Sequence, residues 1–212
     1  MKTVAVIGST GLIGGHIVEE LVKDSSIGEI RLLVRRKSSY NDSRIKLIIL
    51  DFNDISAFKA AIEGCDQVFC AVGTTRKKTP DLKEYRKIDV DIPVTAAKIA
   101  AEKSCKGFHL VSAIGANSKS RNFYSKMKGE VEDIVSGLPI PQIGIYQPSL
   151  LLGKRKETRV AESISALIMP LVSFIIPSDY KPIKATTVAR AMVRDARNYK
   201  TGVTFYKYSS MQ

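Results

Sequence analysis

The sequence predicts an α/β fold, a doubly wound parallel sheet with helices on both faces. Three observations carry this. Strand-like and helix-like segments alternate through about residue 147 of the 212, an order that implies right-handed crossovers between parallel strands. The first strand segment is an unbroken apolar run, as in strands covered on both faces. A glycine-rich turn joins that strand to the first helix. The chain is 44% hydrophobic and 25% charged, which supplies a core and excludes a mainly disordered chain. The length suits a single domain over 1–212, with 148–212 contributing a small C-terminal substrate lobe.

Taken in order, Thr3 to Ile7 reads as the first strand. The helix after it runs to about Asp24, because Ile13, Ile17 and Leu21 with Val18 and Val22 mark one buried face. Glu29 to Val34 and Lys46 to Leu50 read as strands. Asp54 caps a short helix to Ile62, and Gly64 stops it. Gln67 to Val72 is a fourth strand, followed by a polar loop, Gly73 to Pro80. Asp81 to Lys103 is a long helix or a bent pair, with Pro93 as a kink or as the first turn of its second part. Phe108 to Val111 is a strand, Asn122 to Val135 a helix, and Gln142 to Tyr146 a sixth strand. Beyond Pro148, Glu157 to Met169 and Thr186 to Asn198 read as helices and Val203 to Tyr208 as a last strand.

Gly8-Ser9-Thr10-Gly11-Leu12-Ile13-Gly14 is a GxxGxxG turn between strand and helix. Gly8 permits the tight turn, Gly11 leaves room for a pyrophosphate, and Gly14 lets the helix approach the sheet. The amides at the helix start, through Leu12 and Ile13, favour phosphate, and Ser9 and Thr10 add hydroxyl donors. The spacing departs from plain GxGxxG by one residue, but the strand–turn–helix context points to a Rossmann-type dinucleotide site. A site selective for NAD places a carboxylate at the end of the second strand. Here Val34-Arg35-Arg36-Lys37 stands instead. Guanidinium groups grip phosphate oxygens in pairs, so Arg35, then Arg36, predict NADP(H) in preference to NAD(H). Asp51 and Phe52 border the adenine in this scheme, although Asp51 serves equally as a turn or capping residue.

Ser112 ends the fifth strand, and Tyr124 and Lys128 form a YxxxK pair on one helix face. A nearby ammonium lowers a phenol's pKa, so Tyr124 can exchange a proton with a carbonyl or alcohol oxygen. Ser112 can hold the same oxygen, and Lys128 can reach nicotinamide ribose hydroxyls. Pro148 follows the sixth strand, where the nicotinamide end would lie.

The glycine loop, Ser112 and Tyr124-x-x-x-Lys128 resemble the short-chain dehydrogenase/reductase superfamily. Val72-Gly73-Thr74-Thr75-Arg76, Val111 to Ala116, Lys128-Gly129-Glu130-Val131-Glu132, Gln147 to Gly153 and Ile183 to Met192 resemble the Tat-interacting oxidoreductase family of atypical members. The resemblance runs from Val4 to about Met192. It implies an NADP-binding oxidoreductase, and it implies that Gly73 and Thr74 line the cofactor. Two departures stand against it. The family often has paired serines where this chain has Ser112-Ala113, and Val4 already begins the first strand, where animal members carry an N-terminal extension.

The expected activity is carbonyl/alcohol oxidoreduction. Two alternatives use the same site: nucleoside-diphosphate-sugar epimerisation through a transient keto sugar, and non-catalytic NADP(H) sensing. Ser163 to Ile176 is strongly apolar; core packing explains it first, a pocket wall or a homodimer surface second. Lys154, Arg155, Lys156 and Arg159 suit phosphate or solvent alike.

The formal charge is +12, but the basic residues are dispersed and no RNP-type aromatic motif accompanies them, which favours a small-molecule substrate over nucleic acid. The three cysteines and two histidines have no metal-site or disulfide spacing, so no metal is expected and a reducing cytoplasm is the simplest location. No apolar run approaches the roughly 20 residues of a membrane span, and no secretory signal is read.

Overall fold

The computed structural model describes residues 1–153 and 178–212. Seven parallel strands form one sheet in the order β3-β2-β1-β4-β5-β6-β9. They are β1 (Lys2–Ile7), β2 (Ile27–Val34), β3 (Ile45–Ile49), β4 (Gln67–Cys70), β5 (Gly107–Val111), β6 (Gln142–Tyr146) and β9 (Gly202–Tyr206). Two-residue strands β7 (Leu151–Leu152) and β8 (Ile183–Lys184) pair separately. The helices are α1 (Leu12–Val22), α2 (Ile55–Ile62), α3 (Leu82–Arg86), α4 (Ile92–Glu102), α5 (Phe123–Ser136), α6 (Ala185–Arg197) and the short α7 (Tyr208–Met211).

Side chains alternate across each strand, so the sheet carries two cores. On one face Ala5, Ile7, Val68 and Phe108 pack with Phe58, Ile62, Ala96, Met127 and Val131, beneath α2, α4 and α5. On the other, Val4, Val6, Ile30 and Leu32 pack with Ile17, Leu21, Val188 and Met192, beneath α1 and α6. This is the doubly wound architecture expected. Strand order reverses between β1 and β4, and the crevice at their carboxyl ends is where open α/β sheets take ligands.

One detail differs from expectation. The last strand stops at Tyr206 and gives way to α7. Residues 185–206 supply α6, which packs against α1 in one core, and β9, which extends the main sheet. As one of the two expectations had it, Pro93 stands in the first turn of the second part, α4; α3 and α4 are joined by a π turn, Lys87–Asp91, in which the Ile92 N–H bonds the Lys87 carbonyl. The wider turn accommodates a residue that lacks an N–H and would clash with the carbonyl four residues back. The expected helix at 157–169, the apolar run 163–176 and the basic residues at 154–156 and 159 lie outside the described residues. Among the described residues no helix is long and apolar enough to cross a membrane, and Cys65, Cys70 and Cys105 are buried free thiols.

A buried polar network ties the sheet to α6. His109 Nε2 lies 3.0 Å from Gln67 Oε1 and Nδ1 3.3 Å from the Tyr146 hydroxyl. Gln142 Nε2 donates to the Asp195 carbonyl at 2.8 Å, and Phe69 stacks on the imidazole with centroids 4.9 Å apart. Burial pushes the His109 pKa down to about 3, so the folded chain keeps it neutral while an unfolded chain protonates it below about pH 6.5. Because the folded pKa is depressed, this stability is present above the unfolded pKa and is lost as pH falls. Between pH 7 and 5 the wild type should lose about 2 kcal/mol more than His109→Gln in urea unfolding. Equal losses would show that His109 titrates alike in both states.

Candidate active site at the carboxyl edge of the sheet

The glycine loop lies at the β1/β4 switch point. Gly8 has φ +87°, a left-handed conformation that favours glycine, and a Cβ there would lie 2.7 Å from the Ala71 carbonyl carbon. At Gly14 a Cβ would lie 2.1 Å from the Gly8 carbonyl oxygen, so only glycine lets α1 rise this close beneath the loop. Helix α1 starts bare: Gly11 is its N-cap, no side chain caps it, and no acid sits in its first turn. Its amides and dipole therefore face the crevice uncompensated. Ser9 is 2% exposed, yet its hydroxyl has no partner among the described residues, whereas Thr10 is exposed. Leu12 is half-buried and Ile13 belongs to the core.

Arg35 and Arg36 follow β2 and are exposed; neither forms an ion pair with another described residue. Other arginines nearby are committed. Arg44 pairs with Asp42 at 2.8 Å and donates to the carbonyls of Asp24 and Ile27. Asp51 accepts from the Asn53 backbone at 3.0 Å and its side chain at 2.8 Å through one oxygen, which is the turn role; its second oxygen takes no part in that turn. Phe52 packs edge-on against Phe58, centroids 5.1 Å apart.

Past β4, Gly73 is exposed and the Thr74 amide donates to Asp89 Oδ2 at 2.7 Å. Past β5, Ser112 is 5% exposed and its hydroxyl lacks a hydrogen-bond partner of normal geometry; Ala113 beside it is also buried. On α5, capped by Asn122, Tyr124 stands 43% exposed, and the buried Lys128 ammonium lies 5.9 Å from its ring centroid. Pro148 is buried, and its carbonyl accepts from the Ile114 amide at 3.0 Å, tying the end of β6 to the β5 loop. Tyr124 and Lys128 are thus brought together, and the arginines and the glycine loop occupy the ends of adjacent strands, β2 and β1.

Two charged residues in this region went unnoticed in the sequence. Lys128 Nζ forms a buried ion pair with Asp89 Oδ1 at 2.9 Å. Burial alone would lower the lysine's pKa, but the carboxylate more than offsets this and holds it above its ordinary value. Glu132, one turn beyond Lys128, is buried and accepts from Gln147 Nε2 at 2.9 and 3.0 Å. Burial raises its carboxyl pKa, against opposing pulls from the nearby Ser112 hydroxyl and Gln147 amide. The available signal for Glu132 was its spacing: Tyr124, Lys128 and Glu132 recur every four residues on one helix face. For Asp89 it was an acid four residues before a proline inside an apolar helix pattern.

The chemical possibilities are specific. Uncapped amides, and a buried Ser9 hydroxyl and arginines without partners among the described residues, fit a phosphorylated dinucleotide. An exposed phenol beside a charged ammonium fits proton exchange at an oxygen.

An NAD(P)H-binding family model matches residues 8–135. Protein HTATIP2 of Rattus norvegicus is 28% identical over 197 residues, spanning 92% of this chain and 81% of the relative. Protein FMP52, mitochondrial, of Candida albicans is 37% identical over 157 residues, spanning 72% and 69%. Among solved structures, a UDP-N-acetylglucosamine 4-epimerase from Methanobrevibacter ruminantium superposes with TM-score 0.73 at 16% identity, covering 97% of this chain and 76% of that one. MoeE5 in complex with UDP-glucose and NAD gives 0.71 at 16%, covering 99% and 79%. The structural likeness establishes the fold. The relatives bear out the resemblance to the Tat-interacting family.

They also correct the cytoplasmic expectation. Fungal relatives 31–37% identical are named mitochondrial proteins.

Proposed function

This chain belongs to the NAD(P)H-binding family, and on that footing we propose that it is an NADP(H)-dependent oxidoreductase acting on a carbonyl/alcohol pair. The observation that carries the proposal is the exposed Tyr124 phenol, set beside a buried Lys128 held charged by Asp89. A residue on a purely solvated helix face would not need that buried counter-charge.

In this reading the Gly8–Gly14 turn and the α1 amides hold the pyrophosphate, with Ser9 and Thr10 as hydroxyl donors. Arg35 and Arg36 take the 2′-phosphate, and Asp51 and Phe52 flank the adenine. Gly73, Thr74 and Pro148 line the remainder. When bound, a nicotinamide would supply or accept the hydride. Lys128 orients ribose hydroxyls, Ser112 holds the substrate oxygen, and Tyr124 gives or takes the proton there. The test is NADPH consumption with a panel of small aldehydes and ketones. Alcohol formed in step with NADPH lost supports oxidoreduction. Sugar-nucleotide turnover without net loss of cofactor supports epimerisation instead.

A further inference from the structure

We propose that Asp89 is a positioning residue of this site: a single carboxylate, delivered by the π turn, that locks the Lys128 ammonium to the Thr74 amide and so fixes the cofactor-facing geometry of both. The inference rests on the cofactor reading above and extends it to a residue outside the YxxxK pair.

The chain of causes starts at Pro93. Its ring excludes a regular turn against the Asp89 carbonyl, four residues back. The helix widens over Lys87–Asp91 instead. Within that turn Lys87 and Asp91 are exposed, while Asp89 is 2% exposed. An acid is thereby carried into the interior on a helix that continues unbroken to Glu102. Its two oxygens serve two different elements: Oδ1 meets Lys128 on α5, and Oδ2 accepts from Thr74 in the loop after β4. Thr74 is further fixed by a 2.9 Å contact between its hydroxyl and that of Thr79.

Stability does not explain such an arrangement. Desolvating two charges offsets most of their attraction, and apolar replacements are often neutral or better. What the pair achieves is placement. The groups around the ammonium are Asp89 from the π turn, Tyr124 and Glu132 from its own helix, and Cys70 from β4. The Asp89 carboxylate is the one in ion-pair contact with it among the described residues. Without that charge, Lys128 would lose its proton or swing towards water.

The test compares wild type, Asp89→Asn and Asp89→Glu by NADPH titration between pH 7 and 9, with thermal unfolding as a check on folding. Asp89→Asn should weaken NADPH binding about tenfold, and the loss should deepen towards pH 9, as a Lys128 without its counter-charge discharges. Wild-type affinity should stay flat over that range. A purely structural role would not create the pH slope. Asp89→Glu keeps the charge but moves it, and should weaken binding less, with no slope. It decides the matter should Asp89→Asn fail to fold. Wild-type affinity and a flat profile in the folded variants would overturn the inference alone. Absence of NADPH binding by the wild type would overturn the cofactor reading beneath it.

Discussion

Tyr124→Phe should abolish most carbonyl turnover, by about 10²- to 10⁴-fold, while NADPH affinity stays close to wild type. The substitution removes one oxygen. The ring remains over the Lys128 ammonium, so the cation–π contact survives, and no cavity opens because the side chain stands 43% exposed. Loss of stability therefore cannot account for lost turnover. Retained NADPH binding would separate the acid/base role from a binding role. Undiminished turnover would remove Tyr124 from the chemistry and require another proton donor.

Replacing Arg35 and Arg36 together with alanine should cost NADPH about 100-fold in affinity and leave NADH nearly unchanged. Each charge-assisted hydrogen bond contributes about 1.5–3 kcal/mol, and about 1.4 kcal/mol is tenfold. Both guanidiniums are exposed and unpaired among the described residues, so their removal leaves no buried partner stranded. Arg44 is the contrasting case: its bonds to Asp42 and to the carbonyls of Asp24 and Ile27 hold the loop before β3, and its loss should cost stability. Equal weakening of both nucleotides by the Arg35/Arg36 change would show that these side chains do not read the 2′-phosphate.

The parts of this structure that were readable from sequence share a property: their cause is local. The glycine turn is written in consecutive residues, and the strands β1, β4 and β6 in short apolar runs between breakers. The YxxxK spacing places Tyr124 and Lys128 on one face wherever the helix lies. Asp89 was invisible because its role depends on a π turn caused by Pro93 and on a partner 39 residues later. Glu132 had the right spacing but no signal of burial, which comes from the packing of α5 over the ends of β5 and β6. The course of the last segment was only partly legible. The periodicity of α6 predicts a buried face without saying that it packs against α1. Cellular location was misjudged because three cysteines without pairing spacing do not tell one compartment from another.

The most direct measurement is calorimetric titration of the purified chain with NADPH and, separately, NADH. Saturable heat with both, and tighter binding of NADPH, is the expected result. A flat thermogram with each nucleotide would contradict the assignment of the Gly8–Gly14 turn and its neighbouring arginines as a coenzyme grip.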